Sequence, residues 1–421
     1  MSAPSPLALA SIAALIIAIV ISCFTSLNIG FLSIALAFLV GVLWGGMSVS
    51  DVLKGFPVNL LVLLIGVSYL FSLAEANGTL EKLAKYFIRG VRGRAGFLPV
   101  VYFVIAFTLS SIGPGCIPVT ALLTPPALLA AHELGISLFL MSVMVINGGI
   151  AGTLSPIAST GVVANGIISK LGLPFMGYKL YLSTMVMSTI MAAGAFLLFG
   201  GLTLLRERRT LPPSQLKVEK LSPIQLATLG GIGALVVAVI FRGLDVGLTA
   251  LLVGVVLTTF DRKAELKALK AMPWGTMVLV TGVTVLIELM SRLGGTDLLA
   301  SGIANVSSPS TIGLTMSFTG ALVSVYASTI GVVYPTFLPL IPTVLAKMGG
   351  GDPAPLILSV VVAGSLVDAS PLSTLGALAL AASPAGADRG KLYRNLMIWG
   401  LGMCVIGSTL SWFLFSVIRI V

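Results

Sequence analysis

Residues 138 to 168 contain no Asp, Glu, Lys or Arg. Apolar runs that approach or exceed the roughly 18 residues of a membrane span recur along the whole chain. In lipid the backbone N–H and C=O groups of such a run can bond only within the protein, which makes each run a helix. The composition agrees, with 57% hydrophobic and 9% charged residues, against about 25% charged in an average soluble domain. The expected fold class is an all-α polytopic membrane protein. The first run, 7–22, lacks the positive n-region of a signal peptide, because no Lys or Arg precedes Lys54. It reads as a structural helix. Cys23, Cys116 and Cys404 lie in apolar runs with no CxxC spacing, which suggests neither a disulfide framework nor a metal site. The single His132 excludes a His-based metal cluster.

The chain is written twice, at an offset of 215 to 217 residues. Ser5-Pro6 falls on Ser222-Pro223, and Asn28-Ile29-Gly30 on Asp245-Val246-Gly247. Pro57 falls on Pro273, Gly66 on Gly282, Ser111 on Ser328, Pro118 on Pro335, and Ser155-Pro156 on Ser370-Pro371. The halves are expected at 1–205 and 222–421, with a linker at 206–221. Each half orders three spans, a Pro-interrupted stretch (98–131; 311–346), a span carrying a Ser/Thr/Pro cluster (138–168; 355–383) and a last span beginning at 178 or 394. The Pro-interrupted stretches are too long for one straight span. They break near the middle at 108–118 and 326–335, and each reads as a re-entrant helical hairpin. Five crossings per half make two inverted-topology repeats.

The charges choose the orientation. With the N-terminus outside, loops 78–98, 206–221, 261–272 and 385–394 face the cytoplasm and hold 17 of the 24 Lys and Arg residues. The positive-inside rule selects N-out, C-out. The net charge of +10 is then a topology signal and a contact for anionic lipid, with no call for nucleic acid.

Broken helices survive in a bilayer only where protein or a water-filled cavity covers them. Paired breaks in an inverted repeat are the mark of a secondary transporter with its site at mid-membrane. Half-helix N-termini suit an anion, and unwound carbonyls with hydroxyl and carboxylate oxygens suit a small hard cation such as Na⁺. The breaks supply Ser110, Ser111, Gly113, Gly115 and Thr120; Asn147, Gly152, Thr153, Ser155, Ser159, Thr160 and Asn165; Ser328, Thr329, Gly331 and Tyr334; and Ser365, Asp368, Ser370, Ser373 and Thr374. No Lys or Arg lies in any break, so an anionic substrate would be held by dipoles, hydroxyls and accompanying cations. Asp368, an ionisable residue at mid-span, reads as an ion or proton site, with a buried helix cap as the plainer alternative.

The segments NGGIAGTLSPIASTGVVAN (147–165) and VDASPLSTLGA (367–377), with the two Pro-flanked hairpins, resemble the ion transporter superfamily and its divalent-anion/sodium symporters. Within that group the sequence is similar to the MatC-type dicarboxylate carriers of malonate and C4 acids. The resemblance implies a homodimer in the cell inner (plasma) membrane, a scaffold part, a moving transport part and an elevator motion. It also implies two Na⁺ sites. Ser111, Gly113 and Gly115 with Gly152 and Ser155 would frame one; Ser328, Thr329 and Gly331 with Asp368 and Ser370 would frame the other. Substrate contacts are expected from Ser111, Gly113, Asn147, Ser155, Ser159, Thr160, Ser328, Thr329, Ser370, Ser373 and Thr374. The sequence departs from the symporters at the tips, which read Ser-Ile-Gly-Pro-Gly (111–115) and Ser-Thr-Ile-Gly (328–331) in place of Ser-Asn-Thr.

Other residues have plainer readings. Glu75 is expected at the membrane interface, and Glu288 either there or paired with Arg292 at i+4. His132 and Glu133 read as loop residues, and Met141, Met144, Met185 and Met187 as packing. Three further functions stay open on this fold: a proton-coupled carboxylate carrier with Asp368 as proton carrier, an oxyanion antiporter, and a Na⁺/H⁺ antiporter. An enzyme is not expected, because the only His is in a loop and no HExxH or paired intramembrane carboxylates occur.

Overall fold

The computed structural model describes residues 5–25, 27–90, 95–206, 220–326 and 328–420. Most of the expected linker 206–221 lies outside the described residues, as do Arg92, Arg94, Arg208, Arg209 and Lys217. The first part of the chain forms α1 (Pro6–Phe24), α2 (Ile29–Ala37), α3 (Val49–Leu53), α4 (Val58–Ala76), α5 (Thr79–Gly90), α6 (Leu98–Ile112), α7 (Cys116–Glu133), α8 (Leu138–Thr153), α9 (Ser159–Lys170), α10 (Gly177–Leu198) and α11 (Gly201–Arg206). The second part forms α12 (Pro223–Arg242), α13 (Val246–Phe260), α14 (Arg262–Ala271), α15 (Trp274–Arg292), α16 (Gly295–Asn305), α17 (Ile312–Tyr326), α18 (Tyr334–Phe337), α19 (Leu340–Lys347), α20 (Ala354–Val367), α21 (Thr374–Ala381) and α22 (Arg389–Ser411). All described elements are helical. Five helices are long and apolar enough to cross a membrane by length and composition, and eight shorter apolar helices accompany them. The chain is a multi-pass membrane protein.

The punctuating residues of the sequence set the helix starts. Ser5 Oγ accepts from the Ala8 N–H at 3.1 Å, and Ser222 forms a capping box with Gln225. Asn28 Oδ1 accepts from Gly30 N–H at 2.9 Å, and Asp245 Oδ1 from Leu248 N–H at 2.8 Å. Pro57 and Pro273 stand immediately before α4 and α15. The helix breaks fall at Gly113–Gly115, with φ of +153° and +82° at the two glycines, and at 154–158 and 368–373. After Ser328 a π-helical turn, Thr329–Val333, leads straight into α18.

The helices pack in two groups. In one, α4 lies on α13 and α15 lies on α2, with α1 and α12 alongside. These two crossings pass glycine over glycine. A Cβ on Gly66 would overlap the Gly247 carbonyl, and one on Gly282 would overlap the Gly30 carbonyl. Small residues at a crossing let backbones approach closely, and dispersion between them replaces the hydrophobic drive that lipid cannot supply. Polar ties sit at the ends of the same helices. Asn77 Nδ2 donates to Thr228 Oγ1 at 2.8 Å, and Gln225 Nε2 to the Asn77 carbonyl at 3.0 Å. At another end, Arg292 Nε reaches Glu288 at 3.2 Å and its Nη1 donates to the Asp51 carbonyl at 3.0 Å, so Glu288 is a structural partner of Arg292. In the second group α6, α7 and α10 surround α8, α17 and α22 surround α20, and α10 touches α20. Residues 139–153 of α8 and 356–367 of α20 are buried throughout, so both broken spans run through the interior of this group.

The glycine crossings give a direct stability test. Gly66→Ala should cost about 1–3 kcal/mol through overpacking and lower the thermal midpoint in detergent. Gly233→Ala, where a Cβ meets nothing within 4 Å, should leave the midpoint unchanged or slightly raised.

Candidate functional site

Each broken span meets a hairpin tip, and the two meetings differ in chemistry. In the second half α20 ends at Asp368, whose side chain is only 9% exposed. Its Oδ1 accepts from Thr329 Oγ1 at 2.8 Å, Ser373 Oγ at 2.8 Å and Ser324 Oγ at 3.3 Å. The Ser324 and Thr329 hydroxyls touch each other, and each lies 3.1 Å from the Gly364 carbonyl. Gly364 makes this approach possible, because a Cβ there would stand 3.1 Å from Thr329 Cγ2. One carboxylate, three hydroxyls and a carbonyl therefore converge, with no basic side chain among them. A hydroxyl has one proton to give, so Ser324 and Thr329 divide theirs between the carboxylate, the carbonyl and each other.

In the first half Thr153 ends α8, 215 residues before Asp368. Thr153 Oγ1 accepts from the Cys116 N–H at 3.1 Å, at the first residue of α7, and donates to Thr160 Oγ1 at 2.8 Å. Ser159 N–H donates to the Gly113 carbonyl at 3.0 Å, and Ser159 Oγ to the Pro114 carbonyl at 3.1 Å. Gly115 must be glycine on two counts. Its φ is +82°, and a Cβ would stand 2.7 Å from Ser159 Oγ. This meeting is neutral, and its Cys116 and Ser159 N–H groups are already engaged.

The remaining expected residues fall in several places. Ser111 Oγ donates to the Phe107 carbonyl at 2.7 Å and meets the Tyr181 hydroxyl at 3.0 Å. Gly152 packs against it, where a Cβ would stand 2.7 Å from Ser111 Oγ. Ser155 is buried in the turn between α8 and α9. Ser328 Oγ accepts from Gly331 N–H at 3.2 Å, and Ser370 Oγ from Leu372 N–H at 3.3 Å, so both hydroxyls hold turns. Gly331 sits against the Leu279 side chain. Thr374 is exposed at the start of α21. Asn147 is not brought to either tip. It is buried inside α8 and donates to its own helix, at the Val143 carbonyl, 2.9 Å away.

Sequence reasoning missed Ser324 and Tyr181 as neighbours of the tips. It named Thr153 without a role, although the repeat spacing already aligned it with Asp368. Ser324 carried only one signal, a hydroxyl within about a turn and a half of the second tip. Among the described residues no group of three His, Cys, Asp or Glu gathers that could hold a metal ion on those side chains alone.

The hydroxyl ring around Asp368 can be weighed directly. Thr329→Val should cost about 1.5–3 kcal/mol, the worth of a hydrogen bond to a charged group. In an Asp368→Asn background the same change should cost much less. Thermal midpoints of the four proteins measure the coupling, and strictly additive shifts would contradict it.

Residues 5–153 match the family model for the N-terminus of the dicarboxylate carrier protein MatC, and the second half of the chain lies outside that match. In fold the chain is similar to the Alcanivorax borkumensis YdaH transporter, whose crystal structure is described as revealing an unusual topology. That superposition has a TM-score of 0.58 at 14% identity and covers 88% of each chain. At this identity the likeness is one of fold. No curated protein matches the chain in sequence.

Proposed function

We propose that this chain, a carrier and not an enzyme, imports a small dicarboxylate such as malonate or a C4 acid together with Na⁺. The observation that carries the reading is the Asp368 carboxylate ringed by Thr329, Ser373, Ser324 and the Gly364 carbonyl. A buried charge inside a membrane protein is costly and needs a partner. No basic residue is present in the ring, so the partner is a cation that comes and goes. The all-oxygen donor set suits a hard monovalent ion. The first-half meeting supplies the complement, since it is uncharged and the positive dipole end of α7, with the Thr160 hydroxyl beside it, suits a carboxylate. One charged and one neutral meeting favour a single strong cation site over two equal ones. The repeat spacing supports the inverted arrangement. The family likeness extends the reading to a homodimer in the plasma membrane.

A second reading rests on its own observation. All three hydroxyl bonds go to Oδ1 of Asp368, and Oδ2 bonds to no described residue. A proton on Oδ2 would neutralise the carboxylate in place of Na⁺. Thermal shift of the purified chain across mono-, di- and tricarboxylates, with Na⁺ or with choline in its place, separates the two, because a ligand of the native state alone raises its stability. Stabilisation by malonate or succinate only with Na⁺, lost in Asp368→Asn, is the expected result. Stabilisation indifferent to Na⁺ but shifting with pH would give Asp368 the proton.

The two tips also support an elevator motion. Gly113 sits against the Phe71 ring on α4, and Gly331 against Leu279 on α15. At the repeat spacing Leu279 corresponds to Leu63 and Phe71 to Ile287. The tips thus meet equivalent helices eight residues apart, about 12 Å at 1.5 Å per residue. Exchanging the two contacts gives the opposite state, with Pro114 at Leu63 and Ile330 at Ile287. Leu279→Cys with Gly331→Cys should cross-link in the described state, and Ile287→Cys with Ile330→Cys in the opposite one. Transport that continues with no cross-link ever forming at the second pair would exclude this motion.

A further inference from the structure

A cavity of about 240 Å³ opens between the first hairpin tip and the helices of the other group. On one wall stand Gly113 and Ser159, whose polar groups are already engaged with each other across the tip. The facing wall is polar in a different way. Ser68, Ser72 and Glu75 line it from α4, and Thr276 from the start of α15. The spacing 68, 72, 75 puts the three α4 residues on one helical face. Among the described residues none of these four side chains makes a hydrogen bond or ion pair. None of their oxygens is sealed in the interior either. Glu75, exposed in the last turn of α4, is the one charged side chain on the lining of this chamber.

The cavity lies between the C-terminal part of α4 and the N-terminus of α15. Those ends adjoin the basic segments 78–98 and 261–272, which places the chamber toward the cytoplasm by the charge rule. A carboxylate at this point repels a departing anion and attracts whatever cation travelled with it. The position equivalent to Glu75 in the second half is Ser291, and the acid nearby, Glu288, is already paired with Arg292. Among the described residues the carboxylate without a partner therefore belongs to one side only.

We propose that Glu75, with the hydroxyls of Ser72 and Thr276, forms a separate site for a monovalent alkali cation in the inner vestibule, with Ser68 a further turn along the same face. It rests on the sodium-coupled reading above and deepens it. The vestibule site takes the cation released from Asp368 and keeps anion and cation from leaving as one pair. The proposed ligands all lie on the group that carries the glycine crossings, so they stay together when the tip moves. The affinity of the site is weaker than that of the Asp368 ring, because it offers one carboxylate open to water.

The test is equilibrium binding of radioactive sodium to the purified full chain, without organic anion, compared for the wild type, Glu75→Gln, Glu75→Asp and Asp368→Asn. The wild type should show a tighter and a weaker component. Glu75→Gln should lose the weaker one and keep the tighter, Glu75→Asp should retain both, and Asp368→Asn should lose only the tighter. Ser72→Ala should weaken the second component by about tenfold, the worth of one ligand at roughly 1.4 kcal/mol. Unchanged binding in Glu75→Gln overturns the vestibule site while leaving the Asp368 reading intact. Loss in Glu75→Gln with none in Asp368→Asn supports the vestibule site and removes the cation from Asp368. A wild type that binds no sodium overturns both.

Discussion

A carboxylate in the middle of a bilayer has no water to solvate it, and the protein has to supply what water would. The ring of Ser324, Thr329, Ser373 and the Gly364 carbonyl around Asp368 is that supply. Its demands reach far along the chain. Ser324 arrives from one arm of the hairpin, Thr329 from the other and Ser373 from beyond the break in the spanning helix, and a side chain on Gly364 would crowd Thr329. The helix has to stop at Asp368, because Ser373 reaches back to it only across an interrupted turn. The first half meets the same geometric problem without a charge. Thr153 in the matching place satisfies the first N–H of α7.

The two groups of helices divide the work. The broken spans and tips are held together by hydroxyl and carbonyl bonds inside a buried core. The other group is held by backbones crossing at Gly66, Gly247, Gly30 and Gly282. Between the groups the contacts are apolar: α4 packs on α9 and α15 on α18, with the Phe71 ring on Gly113 and the Leu279 side chain on Gly331, and a cavity opens beside them.

Much of this was legible in the sequence, because helix breaks in lipid must be marked by particular residues. The 215 to 217 spacing of Pro, Gly, Ser and Asn matched helix caps and breaks that the structure displays in order. Asp368 stood out as an ionisable group at mid-span. Direction was not legible. Asn147 donates to its own helix, and Ser111 donates to the Phe107 carbonyl and meets the Tyr181 hydroxyl. A Ser, Thr or Asn inside a helix always has a carbonyl one turn back as a competing acceptor, and the linear sequence does not say which wins. The cavity beside Glu75 was not legible either, because it is set by where the tip of another segment comes to rest.

Uptake of radiolabelled dicarboxylate into proteoliposomes tests the central claim most directly, with an inward Na⁺ gradient at equal pH set against an inward proton gradient at equal Na⁺. The account predicts accumulation above equilibrium driven by Na⁺ alone, abolished in Asp368→Asn. Accumulation driven by the proton gradient alone, or Na⁺-driven uptake that survives Asp368→Asn, would contradict it.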